Sequence, residues 1–403
     1  QAMPDLIATA AFGLEAVVDR ELERLGYADR VVEDGKVTFA ADEAAIARAN
    51  LWLRSADRVL VQVGEFTAVD FGELFDRVVA LPWEDWMPRD AAIPVEVRAV
   101  RSPIRSPRSA QSIVKKAIVT RLGQKYGLTQ LPETGPRFPV DIAVRGDEVT
   151  VAVDTSGEGL HKRGYRTLTG PAPLKETLAA GLVQLSYWNR DRPFADPFCG
   201  TGTIPIEAAL IARNLAPGRN RRFLAEDWPR LARSVWQEAR REANDLAVDD
   251  PPASMLGTDI DERSIGMARR HAEAAGVGSD VRFEVRPFGE FRSTEEYGCL
   301  ICNPPYGERI GEQRQVEGLY RSMNDLFVRL PTWSIYVLTA HLAFERLVRR
   351  RPDRKRKLYN GRIECAYYQF YGPRPPRAGR PGGAAGRGVD AGPDRPDHGP
   401  SAR

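Results

Sequence analysis

A short segment with two prolines, Asn303-Pro304-Pro305-Tyr306-Gly307, holds the residues of this chain best suited to chemistry. The side-chain oxygen of Asn303 can accept a hydrogen bond, and Pro304, restricted in φ and ψ, holds its carbonyl in one direction. Two fixed acceptors can bind the two hydrogens of an amino group, and Tyr306 offers a flat face on which an unstacked base can lie. The segment is therefore predicted to present an aromatic or amide NH2 group to an electrophile.

A second segment, residues 195–204, combines glycines with a carboxylate and reads Ala-Asp-Pro-Phe-Cys-Gly-Thr-Gly-Thr-Ile. It predicts a strand end, a tight turn and a helix start, and it matches neither the G-x-G-x-x-G dinucleotide motif nor a phosphate loop. Its two glycines let the backbone approach a ligand closely, and its Asp places a carboxylate there, which suits a cationic ligand. The predicted ligand contacts are Asp196, Phe198, Cys199, Gly200, Thr201 and Gly202.

Both segments follow predicted strands of an α/β sheet. The apolar run Cys299–Cys302, closed by proline, indicates a buried strand, and residues 255–261 indicate another strand that ends in acidic residues. In such sheets ligands bind beyond the carboxyl ends of the strands, and an acidic residue after the second strand binds a ribose diol. Asp259 is predicted for that contact, with Ile260 beside it.

Positive charge is concentrated in two stretches, although the net charge is only +3. A predicted helix over residues 109–126 carries the first, and the second lies at 349–362 between two predicted strands, 334–339 and 365–371. Clusters of this density predict contacts with a phosphate backbone, the alternative for the helix being a solvated face. The predicted contacts are Lys115, Lys116, Arg121, Arg354, Lys355 and Arg356. A further basic stretch, 219–222, and the helix after it are predicted to face solvent or RNA.

Composition restricts the remaining possibilities. The 403 residues are 42% hydrophobic and 28% charged, as in ordinary globular proteins of two or three domains. No apolar run reaches the roughly 20 residues of a membrane span, and the first residues lack a signal-peptide pattern, so a cytoplasmic protein is expected. Cys299 and Cys302 should point to opposite faces of a strand, and no metal site is predicted. Residues 373–403, rich in Pro, Gly, Ala and Arg, are expected to be disordered.

Taken together, these motifs resemble the THUMP-domain class I S-adenosylmethionine-dependent RNA methyltransferases, and in particular the RlmL-type 23S rRNA guanine-N2 family. Further matching phrases are Phe12-Gly13-Leu14-Glu15, Gln111 to Ala117, Asp154 to Arg166 and Lys357-Leu358-Tyr359-Asn360-Gly361. The resemblance implies an α/β fold, with a class I, Rossmann-like, seven-stranded methyltransferase sheet preceded by ferredoxin-like and THUMP α+β modules. It implies domains at 1–67, 68–165 and 166–372, followed by the tail.

The resemblance also implies S-adenosylmethionine as cofactor, RNA as partner and methyl transfer to guanine N2, with Asn303, Pro304 and Tyr306 as catalytic residues and Asn303 also near the cofactor. Cys199 is then expected to line the cofactor turn rather than act as a nucleophile, because an exocyclic nitrogen needs no covalent adduct. Many members carry an Asp after the third strand for the adenine amino group, whereas here the segment reads Arg286-Pro287-Phe288. Backbone groups or Phe288 would have to substitute.

Two alternatives remain open at this point. One is a THUMP methyltransferase of tRNA guanine, and the other is an RNA-binding or RNA-remodelling protein whose methyltransferase domain only scaffolds. Intact cofactor and catalytic motifs argue against the second. The substrate is most simply 23S rRNA or a ribosome assembly intermediate, and a monomer is expected.

Overall fold

A computed structural model describes residues 4–104, 106–167, 174–307 and 312–376. The tail beyond 376, predicted to be disordered, lies outside the described residues. Two seven-stranded sheets organise the described part of the chain. None of the helices in these ranges is both long and apolar enough to cross a membrane.

The first sheet is built from the amino-terminal residues and has the strand order β2-β3-β1-β4-β7-β6-β5. Its strands are β1 (Asp5–Ala10), β2 (Arg30–Glu33), β3 (Lys36–Ala40), β4 (Ala56–Thr67), β5 (Val95–Val100), β6 (Val140–Arg145) and β7 (Glu148–Asp154). The helices that accompany them are α1 (Glu15–Arg24), α2 (Ala44–Trp52), α3 (Phe71–Val79) and α4 (Pro107–Tyr126). The long strand β4 pairs with β1 on one side and β7 on the other. The two predicted α+β modules therefore share one continuous sheet.

The second sheet has the order β10-β9-β8-β11-β12-β14-β13, in which β14 is antiparallel to both neighbours and the others are parallel. Its strands are β8 (Phe194–Asp196), β9 (Met255–Asp259), β10 (Val281–Val285), β11 (Cys299–Cys302), β12 (Ser334–Thr339), β13 (Arg354–Asn360) and β14 (Ile363–Phe370). The accompanying helices are α5 (Glu176–Gln184), α6 (Thr203–Ala212), α7 (Arg233–Asp245), α8 (Glu262–Ala274), α9 (Gln313–Ser322), α10 (Asn324–Arg329) and α11 (Phe344–Val348). This confirms the predicted class I, seven-stranded sheet.

The strand β11 at the centre of this sheet is apolar because it is buried. All four residues of β11 are buried, as expected of a parallel strand covered on both faces. Cys299 packs in the core cluster that includes α5, α6 and α8, whereas Cys302 packs in the cluster that includes α9 to α11. The prediction that these cysteines point to opposite faces is confirmed. The strand order reverses between β8 and β11, and this opens a crevice at their carboxyl ends.

The stretch after α6 faces solvent only in part. Asn220 and Arg222 are exposed, as predicted, but α7 buries one face on the amino-terminal sheet's core, where Phe223 stacks on Trp236 at 5.6 Å. Arg221 donates to four backbone carbonyls, of Ser156, Glu158, Gly159 and Lys162. A guanidinium has five N–H donors in a fixed plane, so an arginine-rich segment can close a loop as well as bind phosphate.

Two boundaries also differ from the sequence prediction. The basic run at 349–362 was placed between strands, but Arg354–Asn360 forms the edge strand β13, paired with β14 along its whole length. The sequence of residues 319–330 predicts one continuous helix, but the structure has two helices that meet at Met323, α9 and α10.

Candidate active site

Residues 196–202, here called the glycine turn, connect β8 to α6 and are tied to the next strand. The Gly200 amide donates to a carboxylate oxygen of Asp259 (2.9 Å), and the Cys199 amide donates to the Thr258 carbonyl (3.0 Å). Gly200 and Gly202 have φ of 53° and 88°, a left-handed conformation that other residues adopt at a cost. At Gly202 a Cβ would also lie 3.0 Å from Ala268 and from Phe283. The turn therefore requires glycine at this position.

Asp196 lies beneath the turn in an environment that disfavours its negative charge. It is 1% exposed, and one carboxylate oxygen accepts from the Phe198 amide (3.0 Å). Burial raises the pKa of Asp196 well above its usual value, and the nearby charge of Asp259 raises it further. A cation bound here would offset both effects, so the site fits a positively charged ligand.

Apolar surfaces flank these two carboxylates. Ile260 is 73% exposed directly after Asp259, although a side chain of this type is normally covered. On the other side Phe198 stacks on Phe288 with ring centroids 4.9 Å apart. Phe288 is one of the two expected substitutes for the missing Asp after the third strand, the other being backbone groups. An aliphatic contact, an aromatic pair and an acceptor for hydroxyl groups together suit a nucleoside.

Burial also settles the protonation of the cysteine in the glycine turn. Cys199 is 7% exposed, and burial together with the charges of Asp196 and Asp259 raises the pKa of its thiol well above the usual value. A neutral thiol is a poor nucleophile. This agrees with the expectation that Cys199 lines the turn.

The segment from Asn303 to Tyr306 directly follows β11 and is here called the acceptor corner. Hydroxyl groups of tyrosine side chains hold it in place. The Tyr306 hydroxyl donates to the Asn303 side-chain oxygen (2.6 Å) and accepts from the side-chain amide of Asn360 at 3.4 Å. Burial raises the pKa of Tyr306, so this hydroxyl keeps its proton. The Tyr306 hydroxyl accepts from Asn360 and donates its own proton to Asn303, so the Asn303 side-chain amide presents its oxygen to Tyr306. That oxygen retains a second lone pair.

The backbone of the same segment is fixed by a second tyrosine. Tyr320 donates to the Pro305 carbonyl and shares a hydrogen bond with Thr339 (2.8 Å). No group in the described ranges donates to the carbonyl of Pro304. Within the described ranges, the Asn303 oxygen and the Pro304 carbonyl are thus two acceptors available to an incoming amino group.

Tyr306 differs from the sequence expectation in one respect. Its ring packs against the core cluster of β11 and β14, and its hydroxyl, not only its face, takes part in the site. Sequence reasoning missed Asn360, because its contact with Tyr306 depends on how the β13–β14 hairpin folds back. The one available signal was the phrase from Lys357 to Gly361.

A buried ion pair joins this domain to the amino-terminal part of the chain. Arg163 and Glu207 form two hydrogen bonds of 3.2 Å with side chains 2% and 0% exposed, and the Tyr165 hydroxyl donates to Glu207 (2.9 Å). Arg163 also donates to the backbone carbonyl of Arg54. Glu207 lies on α6, the helix that begins at the glycine turn, so the connection reaches the cofactor side of the site.

Of the residues predicted to contact phosphate, two form ion pairs with carboxylates, whereas the others have no carboxylate partner in the described ranges. Lys115 donates to the Ile93 carbonyl (2.6 Å) and pairs with Glu133, and Arg121 makes two hydrogen bonds with Glu84, of 3.0 and 2.6 Å. Lys116 is exposed. In β13, Arg354 and Lys355 are exposed, whereas Arg356 is half-buried. Because successive residues of a strand face opposite sides, Lys355 points away from the face shared by its two neighbours.

Three features define this protein as an S-adenosylmethionine-dependent methyltransferase. They are the class I sheet, the glycine turn next to the buried carboxylate of Asp196, and the acceptor corner after β11. Comparison with known proteins agrees. The model of UPF0020, the RMKL-like methyltransferase domain, matches residues 163–369, and models of the RlmL ferredoxin-like domain and the THUMP domain match 5–60 and 68–154. The chain belongs to this family of methyltransferases.

Individual relatives cover nearly the whole chain. A Bacillus subtilis protein named "Putative RNA methyltransferase YpsC" is 47% identical over 368 residues, which is 91% of this chain and 95% of the relative. A Listeria monocytogenes structure described as "a predicted N6-adenine-specific DNA methylase" is 50% identical, with a TM-score of 0.88 over 93% of this chain and 97% of that one. The methyltransferase SMU.472, described as putative and solved with S-adenosylhomocysteine (SAH), is 43% identical, with a TM-score of 0.88 over 93% and 100%.

The raised pKa of Asp196 predicts that cofactor binding depends on pH. A cationic amino group favours the ionised carboxylate, so SAH should bind more tightly as pH rises through the raised pKa of Asp196, with proton release from that carboxyl group. In the free protein the sign is opposite: a raised pKa stabilises the fold at low pH, and this contribution is lost as pH rises. Calorimetry in two buffers of different ionisation enthalpy measures the released proton. Asp196→Asn should abolish it, and pH-independent affinity of the wild type would contradict the assignment.

Proposed function

We propose that this protein transfers a methyl group from S-adenosylmethionine to the exocyclic N2 of a guanosine in 23S rRNA. The observation that carries the proposal is the acceptor corner, in which the Asn303 oxygen is oriented by Tyr306 and the Pro304 carbonyl has no donor in the described ranges. Asp196, the glycine turn, Asp259 and Ile260 are proposed to hold the cofactor, which supplies an electrophilic methyl group.

The residues of the corner act on the amino group of the base. The nitrogen of guanine N2 is a poor nucleophile because its lone pair is delocalised into the ring. Hydrogen bonds from its two hydrogens to Asn303 and to Pro304 orient it and stabilise positive charge as it becomes pyramidal. The bond from N2 to the methyl group would form as the bond from that methyl group to sulfur breaks, leaving S-adenosylhomocysteine, and one hydrogen of the amino group then leaves as a proton to water. Positioning and fixed dipoles of this kind supply most of the acceleration in such sites.

Several features support RNA as the substrate. The THUMP match covers residues 68–154, a relative at 47% identity is named as an RNA methyltransferase, and free cations lie on α4 and along β13. The choice of guanine N2 and of 23S rRNA follows the RlmL-type resemblance of the whole chain. The protein would then act in the cytoplasm, on rRNA or on an assembly intermediate.

Deleting the gene should remove one N2-methylguanosine from 23S rRNA and leave tRNA unchanged. Nuclease digestion and mass spectrometry of separated rRNA and tRNA measure this, with a strain carrying the restored gene as control. Loss of the mark from tRNA would favour a tRNA enzyme, and loss of N6-methyladenine would favour an adenine enzyme. No lost mark would contradict methyl transfer to cellular RNA.

The ion pairs of the lysines predicted to contact phosphate lead to a second prediction, which concerns how RNA affinity depends on salt concentration. Lys116→Gln and Lys355→Gln should each lower the slope of log affinity for RNA against log salt by roughly 0.7 to 0.9, because each charge is free to displace a counterion. Lys115→Gln is the matched control, since Glu133 already neutralises that charge. Slopes that are unchanged for both free lysines would mean that these faces do not contact RNA.

A further inference from the structure

Two segments from opposite ends of the chain meet beside the acceptor corner. Phe12, after β1, is 51% exposed and packs edge-on against Tyr359 of β13, with ring centroids 5.8 Å apart and planes at 86°. Gly13, with φ of 88°, permits this approach, because a Cβ there would lie 2.7 Å from the Lys357 carbonyl and from a methyl group of Leu358. The close approach of the two segments therefore requires glycine at position 13.

A lysine completes the arrangement. The ammonium of Lys357 lies 6.0 Å from the ring centre of Phe12 and 5.6 Å from that of Tyr359, within reach of both rings. Glu364 holds it from the neighbouring strand, accepting from Lys357 at 3.0 Å and from the Tyr359 hydroxyl at 3.3 Å. We call Phe12, Lys357 and Tyr359 the aromatic platform.

The aromatic platform is connected to the acceptor corner through the β13–β14 hairpin. Asn360 directly follows Tyr359 and donates to the Tyr306 hydroxyl, which donates to Asn303. Lys355 lies two residues before Lys357 and so on the same side of β13, which brings a second exposed cation to the approach. Exposed aromatic rings interleaved with lysines are the pattern that binds single-stranded nucleic acid, with bases on the rings and phosphates on the cations.

We propose that an unpaired base next to the target nucleotide stacks on the aromatic platform, with its phosphate near Lys355, which is exposed and lies on the same side of β13. This inference rests on the proposed function and deepens it, because it assigns a binding site for the flanking RNA. An enzyme that takes its target out of a stack must also hold the neighbouring nucleotide, and the platform lies on the same hairpin as Asn360, which contacts Tyr306. A ring face reads no sequence, so the platform should increase affinity without selecting a particular base.

The test compares Phe12→Ala with Phe12→Trp, which restores a flat ring. The control is Tyr187→Ala, since Tyr187 is 62% exposed and packs on Tyr371 at 4.8 Å, just beyond β14 and at the opposite end of the β13–β14 hairpin from Tyr359. The probes are transcribed 23S rRNA and an oligouridylate of about eight nucleotides, within the site sizes usual for such surfaces. RNA affinity, SAH affinity, KM and kcat are measured for each variant.

Phe12→Ala should weaken binding of both RNAs by about tenfold, as loss of one stacked base does, and should raise KM with little change in kcat or SAH affinity. Phe12→Trp should restore binding, and Tyr187→Ala should resemble wild type. Unchanged RNA affinity of Phe12→Ala would overturn the platform, and so would a loss confined to kcat or SAH binding. If wild type binds RNA through Phe12 but methylates none, the platform stands and the proposed function fails; a wild type that binds neither RNA overturns both.

Discussion

Asn303→Ala is expected to lower kcat by at least about 10²-fold, the usual effect of removing one preorganised group from a site of this kind. Its oxygen is one of the two acceptors proposed for the amino group, and Tyr306 fixes its direction. SAH affinity and the melting temperature should stay close to wild type, because Asp196, the glycine turn and Asp259 are untouched. Single-turnover methylation and calorimetry separate the two effects.

The matched control is Asn189→Ala. Asn189 is an exposed asparagine in the loop before β8, at the amino end of that strand and so opposite the site, where it accepts from the Asp191 amide (2.9 Å). This variant should methylate like wild type. Near-normal turnover by Asn303→Ala, or an equal loss in both variants, would remove Asn303 from the chemistry.

The largest effect on stability is expected for Glu207→Gln. The change leaves Arg163 as a buried charge without a carboxylate, since its side chain is 2% exposed and its partner fully buried. Breaking a buried pair in this way lowers the free energy of unfolding by about 3–5 kcal/mol. Burial of Arg54 nearby, which lowers the pKa of its guanidinium to about 10, shows how poorly this region accommodates uncompensated positive charge.

Urea denaturation followed by fluorescence measures the loss, and an exposed pair provides the control. Asp34 pairs with Arg145 at 3.2 Å with side chains 77% and 70% exposed, so Asp34→Asn should have little effect. A Glu207→Gln protein as stable as wild type would show that the connection between α6 and Arg163 is dispensable.

The parts of the fold that were predictable are those in which local sequence and burial agree. Strands β9, β11 and β12 have nearly the predicted bounds, because central parallel strands are continuous apolar runs that end in turn residues. The position of Asn303 beyond β11 followed from the same pattern. β13 was missed, because an edge strand rich in Arg and Lys has no apolar run to reveal it.

The unpredicted parts depend on partners far away in the sequence. Charge alone did not distinguish Lys116, which is free, from Lys115 and Arg121, whose carboxylate partners come from other segments. The same holds for the hydrogen bond from Asn360 to Tyr306, which only the folded hairpin brings together. Which of these cations contact RNA remains a prediction.

The most direct test of the central claim is methylation in vitro of 23S rRNA taken from the deletion strain, followed by nucleoside mass spectrometry. Wild-type protein with S-adenosylmethionine should form N2-methylguanosine at one position, Asn303→Ala should form almost none, and Asn189→Ala should match wild type. A product on adenine or cytosine, or an equal yield from Asn303→Ala, would contradict the account.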